Sequence, residues 1–374
     1  MVKAANIQKW LLAAAVFTAA LAAASGAHAA RFGFADDAGK YADDGGAAFF
    51  SDLKAAGGTE NRITIHWDPK RPETILEESF LDRSVPVAQA KGIRVVFHVF
   101  PIRPTALSSS PDAAESFAAF LTKLATTYPD VRDFIVGNEP NLNRFWLPQF
   151  GPGGENVAAR DYLALLAETY DALKEVSPDI RVIGGATAPR GGDDPESSRQ
   201  THSPTTFIRD LGRFYRESGR ETPVMDAYAH HPYLERSELP PDFAHPNSTT
   251  IALADYDKLV ELLEEAFDGT AQEGGDLPIL YTEFGVQTEI PEEKLDAYTN
   301  LESPVANDAV PESTQEEYYR QAFELVCDQD NVEGLYIFHV WDEPDLLGWQ
   351  SGLYYPDRTP KSSRDALIAL PSCS

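Results

Sequence analysis

Cysteine, basic residues and long apolar runs are all scarce in this chain, and each shortage excludes something. Its two cysteines, Cys327 and Cys373, are too few and too far apart to build a zinc site by themselves. Lysine and arginine number 31 against 59 aspartates and glutamates, a net charge of −28. A surface that acidic repels phosphate backbones and anionic lipid, which argues against nucleic acid and membrane surfaces as partners. It also disfavours a polyanionic substrate, less firmly, because one cleft can differ from the whole surface. Beyond the N-terminus no segment approaches the roughly 20 apolar residues of a membrane span. Linkers, low-complexity tracts and internal repeats are lacking as well. What remains is ordinary globular material, 43% hydrophobic and 24% charged, enough for one large core.

The N-terminus is different. Lys3 and Lys9 flank the start of an Ala-rich apolar stretch from Trp10 to Ala24, followed by Ala27-His28-Ala29. That pattern predicts a secretory signal peptide over 1–29, cut after Ala29. An uncleaved membrane anchor is the alternative, and the short Ala-rich stretch argues against it. Cleavage removes two lysines and no acid, taking the net charge to about −30. Export to the periplasm or the exterior follows, and there Cys327 and Cys373 could pair and tie the C-terminal tail to the helix carrying Cys327.

The rest, residues 30–374, reads as one domain. Arg31-Phe32-Gly33-Phe34-Ala35 is a short strand, and a helix follows from about Gly45 to Ala56. In Asn61 to Trp67, Ile63 and Ile65 take one face while Arg62, Thr64 and His66 take the other. Such a strand suits a barrel whose outside packs on helices. The pattern then repeats: helix Pro72–Ala90 and strand Ile93–Val99, helix Asp112–Thr127 and strand Asp133–Asn138, helix Ala158–Val176 and strand Ile180–Ala186. Helix Pro204–Ser218 leads to strand Val224–His230, helix Ala252–Phe267 to strand Pro278–Phe284, and helix Thr314–Cys327 to strand Gly334–Trp341. A closing helix starts near Ser362. Eight strands alternating with eight helices predict an α/β fold of the (β/α)8 TIM-barrel type. Helix-to-strand turns are short and strand-to-helix loops long, as expected when one rim carries the function.

Two glutamates fall on that rim. Glu139, in Val136-Gly137-Asn138-Glu139-Pro140-Asn141, ends the fourth strand, and Glu283, in Tyr281-Thr282-Glu283-Phe284-Gly285, ends the seventh. Paired carboxylates are what acid/base chemistry on a sugar acetal requires.

The sequence resembles the clan A retaining glycoside hydrolases, the cellulase-like family five or a neighbour such as family thirty-nine. The resemblance rests on Asn138-Glu139, Glu283, Arg62, His231-Pro232-Tyr233 and Trp341. It implies Glu139 as general acid/base, Glu283 as nucleophile and Asn138 as partner of the sugar hydroxyl beside the reacting carbon. Arg62 would steady the nucleophile, His231 and Tyr233 would stand beside it, and Trp341 would stack the sugar. No metal or cofactor is implied. A retaining pair predicts carboxyl groups roughly 5–5.5 Å apart.

Aromatic residues crowd the regions after the strands: Trp67, Phe145, Trp146, Phe150, Trp349, Tyr354 and Tyr355. Their rings suit the C–H faces of sugars, with Trp146 and Trp349 the preferred candidates. Glu343, in a second Glu-Pro pair, lacks the preceding Asn and reads as loop structure. His66, His98, His230, His231 and His339 raise a metal-dependent hydrolase as a rival, but the first strand lacks the His-x-His pair such a barrel uses. The expected function is a secreted retaining glycosidase of β-linked oligo- or polysaccharide. A transglycosylase with the same residues and a non-catalytic carbohydrate-binding barrel are the alternatives. In a secreting host, N-terminal sequencing of the exported protein is expected to begin at Ala30, and a mature protein starting at Met1 refutes the signal peptide.

Overall fold

The computed structural model describes residues 30–302, 308–369 and Cys373. The expected signal peptide lies outside them. Eight parallel strands close on themselves in chain order: β1 (Arg31–Ala35), β2 (Glu60–Trp67), β3 (Arg94–Pro101), β4 (Asp133–Val136), β5 (Arg181–Thr187), β6 (Ala227–His230), β7 (Ile279–Phe284) and β8 (Val332–Phe338). The last strand pairs with the first over Arg31↔Gly334 to Ala35↔Phe338, which completes the (β/α)8 barrel.

Among the described residues the helices are α1 (Ala38–Tyr41), α2 (Ala47–Ala55), α3 (Glu78–Ala90), α4 (Ala113–Thr127), α5 (Val157–Val176), α6 (Pro204–Ser218), α7 (Tyr256–Phe267), α8 (Glu312–Cys327) and α9 (Ser362–Ile368). Local chemistry sets their ends. The Asn156 side chain accepts from Ala159 N–H at the start of α5. Ser203 caps α6 ahead of Pro204, and Gly219, at φ 66°, ends it in the left-handed region.

The strand alternation sorts two apolar shells. Ile63 and Ile65 face outward and pack with helix residues such as Phe49, Leu81 and Phe117. Inside the barrel a smaller cluster of Ala35, Val96, Ile135, Ile183, Ala227, Leu280 and Tyr336 fills the lumen. Below it, buried Glu60 takes an ion pair from Arg31 (2.6 Å) and a hydrogen bond from Tyr336, while Arg94 pairs with Asp133. This polar floor closes the barrel base and leaves the opposite end open.

Several boundaries differ from the sequence expectation, each for a local reason. β6 begins at Ala227 rather than Val224, because the Gln272 side chain takes the N–H groups of Val224 and Met225 (2.8 and 3.1 Å). α3 begins at Glu78 rather than Pro72, since Asp68 accepts from Lys70 N–H (3.0 Å) and folds the preceding residues into turns. β8 stops at Phe338 rather than Trp341, because His339 at φ 82° leaves the extended region. Cys327 and Cys373 form a disulfide that fastens the tail to the end of α8.

The long loops of the open rim are braced from within. Lys361, 1% exposed, donates to Asp342 (2.8 Å) and to Thr288 (2.7 Å). Asp342 also accepts from Tyr298 (2.6 Å) and from Gly352 N–H (2.8 Å). The buried ion pair lies within the loop after β8, and its hydrogen bonds with Thr288 and Tyr298 tie that loop to the one after β7. Removing one member strands the other's charge, so Lys361→Met is expected to cost about 3–5 kcal/mol. The double variant Lys361→Met/Asp342→Leu should regain much of that loss. Urea denaturation is the measurement, and an unchanged midpoint in the single variant sinks the claim.

Candidate active site

Past Val136 the chain turns sharply. Gly137 adopts φ 80°, and a Cβ there would meet Tyr162 at 2.9 Å, so only glycine suits the position. Tyr162 holds the turn from beneath, donating to Val136 O and accepting from Gly185 N–H, each at 2.8 Å. Glu139 follows in the left-handed region at φ 38°, its N–H donating to Ala186 O (2.8 Å). β5 carries a register shift between Gly185 and Thr187, at this same level. The Glu139 carboxyl therefore projects from a fixed, strained elbow rather than from the strand itself.

Glu283 sits within β7, its neighbour Phe284 packed in the apolar shell. Side-chain exposures of 15% for Glu139 and 14% for Glu283 leave each carboxyl partly open. One residue reaches both: His231 Nδ1 lies 3.1 Å from Glu139 Oε1 and 3.7 Å from Glu283 Oε2. The facing oxygens are therefore no further apart than those two contacts laid end to end.

Around Glu283 the partners are charged or strongly polar. Arg62, projecting inward from β2, contacts Oε1 at 2.8 Å, and Tyr233 donates to Oε2 at 3.1 Å. Burial alone would raise the Glu283 carboxyl, but the His231 and Arg62 charges and the Tyr233 hydrogen bond outweigh it and hold the group below its ordinary value. Burial, and then the charge of Glu283, keeps the Tyr233 phenol protonated far above its usual range, so it remains a donor.

His98, on the inward face of β3, extends this set. Its Nε2–H donates to Gly137 O (2.7 Å), and its Nδ1 accepts from Arg62. Burial and the nearby Arg62 charge keep the ring neutral, well below the usual histidine value. A continuous chain thus runs from the Gly137 elbow through His98 and Arg62 to Glu283.

The cavity over these groups measures about 1630 Å³. Asn138 lines it, and its Oδ1 is buried without a hydrogen-bond partner among the described residues. His339, one of the strand-end histidines, also lines it, as does Asp36, which sequence reasoning missed. Asp36 accepts from Ala38 N–H and Val340 N–H (2.7 and 2.8 Å), and burial raises its carboxyl against the pull of His339. Period-two counting from Phe34 in β1 would have pointed Asp36 outward with it or left it in the loop, so no sequence signal marked it.

The structure redistributes the expected aromatic residues. Trp146 is 5% exposed and packs edge-on against Tyr162 in the outer core, away from the cavity. It anchors its loop instead of facing a ligand. Trp67, Phe150, Tyr354 and Tyr355 likewise lie outside the lining, and Phe145 and Trp349 are the two of that set that reach it. Trp341 does line the cavity, but its indole N–H donates to Asp52 (3.0 Å) and its ring meets Phe49 edge-on. Trp349 stands 5.3 Å from the Tyr233 ring and 5.5 Å from Phe338, directly beside the partner of Glu283. Glu343 accepts from Trp349 N–H (2.6 Å) and shapes the loop that presents this tryptophan.

The remaining histidines are engaged by the protein. His230 bonds Thr187 and Ile251 O (2.9 and 2.8 Å), with burial taking it down to about 4, and His66 contacts Glu77 at 3.2 Å. Among the described residues no group of three or more His, Cys, Asp or Glu stands in an arrangement that holds a metal.

Comparison with solved structures finds this barrel in glycoside hydrolases. A family 39 glycoside hydrolase from Bacteroides cellulosilyticus WH2 superposes with TM-score 0.62 at 20% identity, over 90% of this chain and 62% of that one. The fold is that of these glycoside hydrolases. A GH39 β-xylosidase from Caulobacter crescentus gives TM-score 0.57 at 18% identity, over 92% of this chain and 70% of the other. GH5_18 from Streptomyces cattleya, in complex with GlcNAc, gives 0.60 at 16% identity, over 93% and 82%. These neighbours come from the two families the sequence resemblance names. The chain spans less than two thirds of the length of the first, and of a GH39 enzyme from Xanthomonas axonopodis pv. citri, of which it covers 65%. No protein-family model and no curated protein sequence matches the chain.

A carboxyl held low stays ionised as acid is added. Carbon-13 NMR of glutamate-labelled protein should place the Glu283 midpoint below the unperturbed value of about 4.3, and Arg62→Met should raise it. Because the folded value is the lower one, Glu283 adds stability that is complete above the unfolded value and is lost as pH falls through the folded one. A Glu283 midpoint above that of a free glutamate would overturn the assignment.

Proposed function

We propose that the protein is a secreted retaining glycosidase acting on β-linked oligo- or polysaccharide, with Glu283 as nucleophile and Glu139 as general acid/base. The observation that carries this is the single imidazole of His231 reaching both carboxylates, one of which Arg62 and Tyr233 keep charged. That closeness accommodates the roughly 5–5.5 Å pairing of retaining enzymes, and the stereochemistry of the product decides between it and the wider pairing of inverting ones.

In the first step a Glu283 oxygen bonds to the anomeric carbon as the bond to the leaving oxygen breaks, and Glu139 gives that oxygen its proton. In the second, water attacks the same carbon, Glu139 takes the water's proton, and the ester to Glu283 breaks. Atoms and charge balance without a metal or cofactor. Arg62 and Tyr233 stabilise Glu283 as an anion before attack and as a leaving carboxylate afterwards. The His231 Nδ1–H bond to Glu139 Oε1 leaves its other oxygen to face the glycosidic oxygen. Asn138 suits a sugar hydroxyl, and Trp341 and Trp349, which line the cavity, are the rings available to stack a sugar, with Trp349 against the Tyr233 partner of Glu283. Captured by a sugar instead of water, the same intermediate gives transglycosylation.

The test is a panel of aryl glycosides and β-linked polysaccharides, led by xylosides because a β-xylosidase shares the fold, with NMR of the first-formed anomer. Retention is expected. Glu139→Gln should lower kcat/KM by about 10²–10⁴-fold on poor leaving groups and far less on activated aryl glycosides. Glu283→Gln should abolish turnover. Wild-type rates in Glu283→Gln would defeat the mechanism.

A further inference from the structure

The net charge of −28 does not describe the whole cleft. Asp36, Asp37, Asp342, Glu343 and Asp357 line it from the loops after β1 and β8, and Arg144, Arg190 and Arg199 from the loops after β4 and β5, with Glu235 and Asp308 contributed by the loops after β6 and β7. The arginine wall is a built structure. Buried Asn141 stitches the loop after β4 to the loop after β5, donating to Ala188 O (3.2 Å) and His202 O (3.0 Å) and accepting from Ala188 N–H (2.9 Å). Leu142 and Thr201 add a bridge between the same loops. At Gly191 the backbone runs so close to His202 that a Cβ would lie 1.9 Å from its carbonyl oxygen.

Elsewhere in the described residues most arginines find carboxylates, as Arg62 does with Glu283, Arg181 with Glu333, Arg220 with Asp171 and Arg358 with Asp52, while Arg132 and Arg216 bond Ser177 and backbone carbonyls instead. Arg144, Arg190 and Arg199 form no such ion pair among the described residues, in a chain with almost twice as many acids as bases. Arg190 is half-buried, and its one protein hydrogen bond among those residues goes from Nη1 to Tyr233 O (2.8 Å). Burial disfavours its charge, and the carboxylates that act on it through space are Glu235 and Glu139, not Glu283. Arg144 lies 5.4 Å from the centre of the Phe145 ring, which also lines the cleft.

A half-buried guanidinium with no carboxylate in direct contact is a ready partner for an anion that arrives with the substrate. Its position names which part of the substrate. If Glu139 protonates the leaving oxygen, the group that departs lies on the Glu139 side, toward the loops after β4 and β5 that carry Arg144, Arg190 and Arg199 into the cleft. We propose that the wall formed by the loops after β4 and β5 is a leaving-group subsite for an acidic sugar, a residue bearing a carboxylate or a sulfate ester. Arg190 is its direct ligand, with Arg144 and Arg199 beside it and Phe145 as an apolar floor. The assignment to the leaving side rests on the proposed role of Glu139; the affinity for an anion does not.

Calorimetric titration of the Glu283→Gln protein with glucose, glucuronic acid and glucose 6-sulfate tests it. At least one acid is expected to bind about tenfold or more tightly than glucose, and the tighter of the two identifies carboxylate or sulfate. Arg190→Gln should bring the acids down to the level of glucose. Because Arg190 also holds the Tyr233 carbonyl, the exposed pair Arg144→Gln/Arg199→Gln serves as a second variant and should weaken the acids several-fold without changing the melting temperature. Equal binding of all three sugars, no measurable binding of either acid, or a preference untouched in both variants overturns the proposal. An anion preference in a protein that hydrolyses no glycoside would leave the subsite standing and defeat the hydrolase reading. Hydrolysis with no anion preference would do the reverse.

Discussion

A carboxylate withdrawn from water remains ionised only if other groups replace the water, and the open rim of this barrel is arranged to meet that requirement at Glu283. Burial pushes the group toward its neutral form, while Arg62, Tyr233 and His231 push it back. Each partner has its own demands. The Arg62 guanidinium also bonds neutral His98, whose other nitrogen is taken by the Gly137 carbonyl. Those two bonds leave His98 a single workable tautomer, with hydrogen on Nε2. The Gly137 turn in turn aims Glu139. The two glutamates come from strands far apart in sequence, yet one hydrogen-bonded chain and one shared imidazole make them a unit.

Charge is also sorted along and across the barrel. At the closed end, Glu60, Arg31, Arg94 and Asp133 neutralise one another beneath the apolar lumen. At the rim, Lys361 and Asp342 do the same inside the loop layer, where they hold the loop carrying Trp349 against the loop after β7. These pairs are internally balanced and serve the scaffold. The cleft between them is where charges are left to face solvent or ligand, with acids from the loops after β1 and β8 and arginines from the loops after β4 and β5.

Much of this was legible in the sequence. Period-two alternation in β2 placed Arg62 and Thr64 inward and Ile63 and Ile65 outward, and the structure agrees, because a strand between a lumen and a helix shell has only those two faces. Glu139, Glu283, Asn138 and Tyr233 line one cavity, with buried His231 touching both glutamates, as their places at or after strand ends imply. His98 was within reach of the same counting, two residues past the lumen residue Val96, but its role depends on Arg62 and Gly137, which no local pattern links to it. Of the expected tryptophans, Trp341 and Trp349 line the cavity and Trp146 does not. Trp146 and Trp349 both have polar neighbours in sequence, yet Tyr162, distant in the chain, decides that the Trp146 ring turns into the core. The start of β6 was hidden in the same manner by the Gln272 side chain. Residue type and period carry the strands; long-range hydrogen bonds carry the orientations.

The backbone at Glu139 has a bearing on which sequences this position can accept. At φ 38° it lies where β-branched residues are strongly disfavoured and where Asn, Asp and Gly sit most easily. A drift from Glu139 to Asp or Asn would thus cost the fold little while withdrawing the side chain by a methylene, whereas a change to Val or Ile would strain the elbow as well as delete the acid. If Glu139 holds the proposed acid/base role, its tolerated neighbours are well-folded proteins in which that role is weakened or lost. The position would then lose its chemistry before its structure, a short mutational path from a barrel that cleaves a sugar to one that only holds it.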